Sequence, residues 1–371
     1  MIYFDNAATS FPKPATVIKE VKRCLTEYCG NPGRSSHRLA LAAANKIFDV
    51  RESVAELLGY QKCENVVFTP NATYALNLVI KGAIKDKCHV ILSDLEHNSV
   101  LRPLYKSLDK YGGQHSVFDS DLPLNEAIIP LIRDDTKIII STLCSNVTGK
   151  IIDLKEISEI AKTYGLKLII DASQYVGHAP ISLTDVYFSS FCSAGHKGLF
   201  GIQGSAFAII NDCELFDTLT EGGSGVDSFS REMPLLLPER YEAGTLPTPA
   251  IASLGAGIDF INKVGAEAIS NHLQILTNEL KHGLKEIESV DLYGANNGIA
   301  AFNVSGMSSS QTSSILDTNG IATRSGFHCS PIIHNKLGTS TKGAVRVSFS
   351  YFNTVREVHE LISVIKKIQK N

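Results

Sequence analysis

Lys197 lies between two glycines in Ser193-Ala194-Gly195-His196-Lys197-Gly198, directly after an apolar run. Taken alone, such a residue is more often a surface lysine. The tight glycine setting nevertheless suits an amine withdrawn from water, whose lowered pKa is what Schiff-base chemistry requires. Asp171 changes the weighing. It closes the apolar run Leu168-Ile169-Ile170 and is followed by Gln174. A carboxylate at the carboxyl end of a buried strand is costly unless a cation answers it, and that end of an open α/β sheet is where ligands bind. An aspartate there with a lysine 26 residues later is the pair pyridoxal 5'-phosphate needs, one to keep the ring nitrogen protonated and one to hold the aldehyde.

A phosphate site is then expected. Thr69-Pro70-Asn71-Ala72-Thr73 supplies strand, turn and helix start, where free N–H groups receive an anion; a plain N-cap by Asn71 or Thr73 reads equally well. His97, after another strand, suits stacking on a ring, though a lone histidine is more often structural. Asn146, in Ser145-Asn146-Val147-Thr148-Gly149, fits a polar contact or a turn in left-handed geometry. Cys329 stands beside His328, bracketed by Gly326 and Pro331, a loop setting that exposes and partly ionises a thiol as a sulfur-accepting nucleophile must be. A buried structural cysteine and a weak metal site with His328 and His334 are the other readings. Arg346, inside the apolar strand pattern Val345 to Phe349, suits bidentate carboxylate recognition; a structural salt bridge is its alternative.

These residues need a scaffold, and the hydropathy pattern supplies one. From residue 36 to about 210, helical periodicity alternates with short β-branched runs, the rhythm of an α/β protein built on a mostly parallel sheet. Strands are expected at Val66 to Thr69, His89 to Ser93, Lys137 to Leu143, Leu166 to Asp171, Val186 to Phe191 and Ser205 to Ile210, with helices at Ala72 to Ile84 and Leu154 to Tyr164 between them. The first long helix is expected to start after Ser35-Ser36, capped by a hydroxyl, and to end at Gly59. Residues 211 to 250 are an irregular stretch rich in Gly, Ser, Pro and charge. Two helices, a few strands and a terminal helix follow. The expected division is a large α/β domain over 15–249 and a smaller α+β domain made of 1–14 and 250–371.

With 371 residues, 44% hydrophobic and 20% charged, the chain has the composition of a globular protein of two or three domains. Lys plus Arg is 35 against 38 for Asp plus Glu, a balance without the broad positive field that nucleic acid or an anionic membrane attracts. No apolar run approaches the roughly 18 residues needed to span a bilayer, and the N-terminal stretch lacks the basic start of a secretory signal. The expectations are a cytoplasmic enzyme of small-molecule chemistry with no nucleic-acid or membrane partner. Eight cysteines with no CxxC pair suggest neither a disulfide framework nor a four-cysteine zinc site, and no metal is expected.

The stretches FDNAAT (4–9), NPGRSSH, NATYALNLV, EHNSVLRPL, SNVTG, DASQ, GHKG, EAGT, RSGFHCSP and VRVSFSYFNT together resemble the class V aminotransferases, and among them the cysteine desulfurases. RSGFHCSP resembles the cysteine loop of short-loop desulfurases and selenocysteine lyases. The resemblance covers nearly the whole chain and implies the fold-type I architecture of pyridoxal phosphate transferases. It implies that Lys197 bonds the cofactor covalently, Asp171 pairs with its ring nitrogen, Gln174 contacts its phenolic oxygen and His97 stacks on the ring. Ala72, Thr73 and His196 would hold the phosphate together with Thr245 from the second subunit of a homodimer. Arg346 would clamp the substrate carboxylate, with Asn146 and Arg324 beside it, and Cys329 would receive sulfur from L-cysteine and pass it to an acceptor protein. A selenocysteine lyase, another carbon–sulfur lyase or an aminotransferase are the alternatives on the same scaffold. The sequence departs from the family at Ala194, where Ser or Thr is common, so that Ser193 is the candidate replacement hydroxyl, and at Tyr74, where Glu is usual.

Overall fold

The computed structural model describes residues 1–33 and 36–368. Its strands are β1 (Ile2–Tyr3), β2 (Val66–Thr69), β3 (His89–Ser93), β4 (Gln114–Phe118), β5 (Thr136–Thr142), β6 (Lys167–Asp171), β7 (Ser190–Ala194), β8 (Ala206–Ile210), β9 (Val290–Asn296), β10 (Ile299–Val304), β11 (Ile321–Ala322), β12 (Arg324–Gly326) and β13 (Ala344–Ser348). Its helices are α1 (Ala15–Arg23), α2 (Arg38–Leu57), α3 (Ala72–Ala83), α4 (Asn98–Tyr111), α5 (Leu124–Ile128), α6 (Leu154–Thr163), α7 (Thr248–Val264), α8 (Ala266–Lys285), α9 (Ser309–Thr318), α10 (Pro331–Lys336) and α11 (Val355–Ile368).

Seven strands form one sheet in the order β2-β8-β7-β6-β5-β3-β4. Only β8 runs against its neighbours, β7 and β2; the pairs β6–β7, β5–β6, β3–β5 and β3–β4 are parallel. The central strands are apolar on both faces because both are covered. Val90, Leu92, Ile138, Ile140 and Ile169 pack under α3 and α4, while Ile91, Ile139, Leu168 and Ile170 join the opposite cluster with α2 and α7, as a doubly covered parallel sheet requires. The carboxyl ends of β2, β3, β5, β6 and β7 lie on one edge, which is where a ligand site is expected. A second sheet, β12-β13-β10-β9, is antiparallel and backed by α8 and α9, with α11 packed on α8. The first residues of the chain belong with this unit, since β1 pairs with β11 and Asp5 bridges to Ser348.

Two sequence expectations shift. The strand expected over Val186 to Phe191 forms over Ser190–Ala194. Val186 and Phe188 are core side chains on an unpaired approach, whereas small residues occupy the crowded centre between β6 and β8. The capping residue of α2 is His37, whose Nδ1 accepts the Ala40 N–H at 3.3 Å; Ser35 lies outside the described residues. Helix α7 packs on the large sheet's side of the molecule: its Gly255 rests on Val50 and its Gly257 on the Leu199 carbonyl. An edge strand, β4, also forms where the polar run Gln-His-Ser carried no strand signal. Among the described residues no helix is long and apolar enough to cross a membrane.

The irregular stretch after β8 is fastened at one buried point. Arg51 of α2 donates through both terminal nitrogens to the Glu242 carboxylate, each at 2.9 Å, and Glu242 Oε1 accepts the Phe68 N–H at 2.6 Å. Arg51 also bonds the Val66 carbonyl and covers the Phe68 ring. Removing one partner of a buried pair strands the other charge. Arg51→Met is therefore expected to cost about 3–5 kcal/mol, read as a lowered urea midpoint, and the double replacement Arg51→Met with Glu242→Leu to recover most of that loss.

Candidate active site

The carboxyl edge of the large sheet holds a pocket lined by Ala72, Thr73, His97, Thr142, Cys144, Asn146, Asp171, Gln174, Ala194, His196 and Lys197, among others. Each arrives for a local reason. Asp171 is the last residue of β6, buried, with Oδ1 accepting the Ser173 N–H at 2.9 Å. Lys197 follows β7 in a turn too close for side chains at its glycines, since a Cβ on Gly198 would run into the Val176 carbonyl and one on Gly195 into Ser205. The turn is held from below. The His196 carbonyl receives the Ser10 N–H at 3.1 Å and the Lys13 ammonium at 2.9 Å, with the Thr9 hydroxyl at 3.1 Å. Withdrawal from water brings the Lys197 amine down to about 8 against the pull of Asp171, which favours the charged form.

His97 caps α4. Its Nδ1 accepts the Ser99 N–H at 3.0 Å, so in the neutral ring the proton sits on Nε2. Burial, and then the Lys197 charge, push it to about 4, and burial likewise takes His196 to about 4; both rings are neutral at pH 7. At the start of α3, Asn71 Oδ1 caps the Tyr74 N–H at 2.9 Å. The N–H groups of Ala72 and Thr73, which line the pocket at the positive end of the helix, have no acceptor among the described residues, an arrangement able to receive an anion. Gln174 spends its amide nitrogen on the Ala7 carbonyl at 2.9 Å, while its buried Oε1 and the buried His196 Nδ1 have no partner among the described residues. An aspartate, a lysine of lowered basicity, open helix N–H groups and unanswered polar atoms around one pocket fit pyridoxal phosphate.

One of the expected ligands is placed elsewhere. Ser193 does not line the pocket: side chains alternate along a strand, Ala194 takes the facing position, and Ser193 Oγ is buried without a partner among the described residues. Thr245, expected to serve the phosphate of a second subunit, lies in its own chain in a separate cleft with Asn31, Arg51 and Glu242. Asn146 lines the pocket and also ties its side chain to the cysteine loop, donating to the His328 carbonyl at 2.7 Å and accepting from Ser330 Oγ at 2.6 Å.

That loop presents Cys329 to solvent. His328 and Cys329 both adopt left-handed backbone conformations, φ 49° and 58°, uncommon for side-chain-bearing residues and held only where the surroundings enforce them. Here the Asn98 N–H bonds the Cys329 carbonyl at 2.7 Å, and His328 Nε2 bonds the Ala344 carbonyl at 3.0 Å. Cys329 lines an outer cleft that shares Thr73, His97 and Ser99 with the Lys197 pocket, so the amine and the thiol open onto adjoining spaces. As for the metal reading of the loop, no three His, Cys, Asp or Glu among the described residues form a metal-binding group.

Arg346, buried in β13, donates to Asp5 Oδ1 at 2.7 Å and to the Asn146 carbonyl at 3.0 Å, and its buried Nε has no partner among the described residues. Arg324, half-exposed and opposite Arg346 in the β12–β13 register, approaches Asp5 Oδ2 at 4.0 Å. Sequence reasoning gave Asp5 no role. It also passed over Glu96, fully buried, which accepts from Ser93 Oγ and the Thr142 N–H and is held protonated by burial, its pKa raised to about 8.

The family model for aminotransferase class V matches residues 2–361. A probable cysteine desulfurase of Methanothermobacter thermautotrophicus is 31% identical over 99% of this chain and 94% of its own length, and one of Pyrococcus abyssi is 31% identical over 100% and 95%. The apo structure of a cysteine desulfurase from Thermococcus onnurineus superposes with a TM-score of 0.92 at 30% identity, covering 100% of this chain and 94% of that one. A cysteine desulfurase from Escherichia coli shares the fold, with a TM-score of 0.89 at 23% identity over 99% of this chain and 94% of that one.

Proposed function

The chain belongs to the aminotransferase class V family, which uses pyridoxal 5'-phosphate, and from that premise we propose that it is a cysteine desulfurase, converting L-cysteine to L-alanine with transfer of sulfur to Cys329. The observation that carries this reading is the exposed Cys329 in a cleft that shares three residues with the Lys197 pocket. The similar proteins named as cysteine desulfurases support it.

In this reading the Ala72 and Thr73 N–H groups and His196 would hold the cofactor's phosphate, Asp171 would pair with its ring nitrogen, His97 and Gln174 would contact the ring, and Lys197 would hold it covalently. When bound, the group supplies an electron sink for the α-carbon of an amino acid. Arg346, held by Asp5 and the Asn146 carbonyl, presents Nε to the substrate carboxylate, with Arg324 at the mouth. The Lys197 amine, near 8, takes and returns the α-proton close to neutral pH. Cys329 Sγ attacks the substrate sulfur: the Sγ–S bond forms, the Cβ–S bond breaks, and its electron pair, with a proton, gives the alanine methyl group. Thr245 reaching a neighbour's phosphate makes the active unit a homodimer, and the persulfide passes to an acceptor protein.

Incubation of the holoenzyme with L-cysteine, followed by intact mass and peptide mapping, tests the proposal. One added sulfur atom on Cys329 is expected; alanine release with no adduct there overturns it in favour of a carbon–sulfur lyase. Arg346→Lys keeps a positive charge but loses the planar fork. Its KM for L-cysteine is expected to rise about 10–100-fold with kcat less affected, as loss of uniform substrate binding requires; steady-state kinetics on alanine formation reads the split.

A further inference from the structure

The outer cleft at Cys329 has walls of one charge. It encloses about 380 Å³ between α3 and α4. Thr73, Asn77 and Lys81 line it at four-residue steps along α3, and Asn98, Arg102 and Lys106 do so along α4. A step of four brings side chains to the same helix face, so each row runs about 12 Å from its first residue to its last at 1.5 Å per residue. Cys329 marks one end, because the Asn98 N–H is bonded to its carbonyl. Lys81, Arg102 and Lys106 are all exposed, none forms an ion pair among the described residues, and no lining residue is acidic. Lys336 shows the contrasting arrangement, a cation met by Asp94, Asp119 and Asp121.

We propose that this cleft docks an acidic, thiol-bearing segment of the protein that accepts sulfur from Cys329. The inference rests on the desulfurase reading, since it needs a sulfur atom on Cys329 to hand over. The cofactor pocket and the outer cleft adjoin at Thr73, His97 and Ser99, and Cys329 lines the outer cleft, where a second molecule can meet the thiol. The segment's thiolate attacks the outer sulfur of the Cys329 persulfide. A new S–S bond forms, the Sγ–S bond breaks, Cys329 leaves as thiolate and takes up the proton, and no outside oxidant or reductant enters. Three uncompensated cations along the approach draw in a negatively charged segment and repel a positive one, an effect that weakens with salt.

The test uses the purified holoenzyme and three synthetic nonapeptides with a central cysteine flanked by Asp/Glu, by Asn/Gln or by Lys, together with cysteine-to-serine versions for binding by fluorescence anisotropy. The acidic peptide is expected to bind roughly tenfold tighter than the neutral one at low salt, to lose that margin toward 0.5 M salt at a Debye length of about 4 Å, and to discharge sulfur-loaded Cys329 fastest. The triple variant Lys81→Glu, Arg102→Glu, Lys106→Glu is expected to abolish or invert the preference while alanine formation with a small neutral dithiol stays unchanged. Acidic and neutral peptides binding within twofold of each other, or an unaltered preference in the triple variant, overturns the inference. An oligonucleotide of equal charge that displaces the acidic peptide at lower concentration also overturns it, in favour of a nucleic-acid occupant. Binding of the serine peptide is read independently of sulfur loading: no adduct on Cys329 with charge-selective binding intact counts against the desulfurase reading, and an adduct without selectivity counts against the docking surface.

Discussion

Lys197→Ala is expected to lower alanine formation from L-cysteine by roughly 10⁴-fold or more, because in the proposed reaction one side chain supplies both the covalent hold on the cofactor and the base for the α-proton. Borohydride reduction of the wild-type holoenzyme followed by peptide mapping should place the cofactor on Lys197, and the variant should carry none. The same change should stabilise the apo chain. The amine is drawn from 10.5 to about 8 by burial, so the folded state charges it less readily than the unfolded state does. That penalty is full below about pH 8, where both states are protonated, fades as pH rises between 8 and 10.5, and is absent above. Alanine removes the group, so apo Lys197→Ala is expected to exceed apo wild type at pH 7 by about 3 kcal/mol and to match it near pH 11, read by urea melts across that range. A variant that loses activity without gaining stability at pH 7 shows the amine to be well solvated, and with it the basis for its action as a base near neutral pH is lost.

The parts of this site legible in the sequence were those announced by a break in a local pattern. Asp171 is visible because an apolar run stops on a carboxylate, Ala72 and Thr73 because a strand turns at Pro70-Asn71 into a helix, and Lys197 because glycines crowd it. What pattern could not show was parity and pairing across distance. Which of Ser193 and Ala194 faces the pocket depends on where β7 begins, and the apolar residues Val186 and Phe188 drew the expected strand four residues too early. Asp5 meets Arg346 across 341 residues only because β1 pairs with β11 and Asp5 bridges to Ser348; nothing local to FDNAAT says that its carboxylate orients an arginine. Asn146 was legible as a polar strand-end residue, but its tie to the His328 carbonyl depends on a loop 182 residues away. The cations of the outer cleft are another such case, ordinary helix-surface residues until α3 and α4 are set side by side.

Cys329→Ala separates sulfur transfer from the remaining chemistry. The thiol is exposed and its backbone conformation, φ 58°, is equally unfavourable for alanine, since both residues carry a Cβ. Fold stability should therefore change by less than about 0.5 kcal/mol, as for a surface replacement, and cofactor content should stay at the wild-type level. Alanine formation from L-cysteine should fall by roughly 10³-fold or more, because no group remains to take the sulfur as its bond to Cβ breaks. L-Cysteine sulfinate supplies the internal control: its leaving group carries its own oxygens and departs without a sulfur acceptor, so the variant should process it within about threefold of wild type. Parallel loss on both substrates would mean that the replacement disturbed the pocket through the Asn98 and Asn146 tethers of the loop. Unchanged alanine production from cysteine would remove the thiol from the mechanism and leave Lys197, Arg346 and the pocket as the machinery of a lyase.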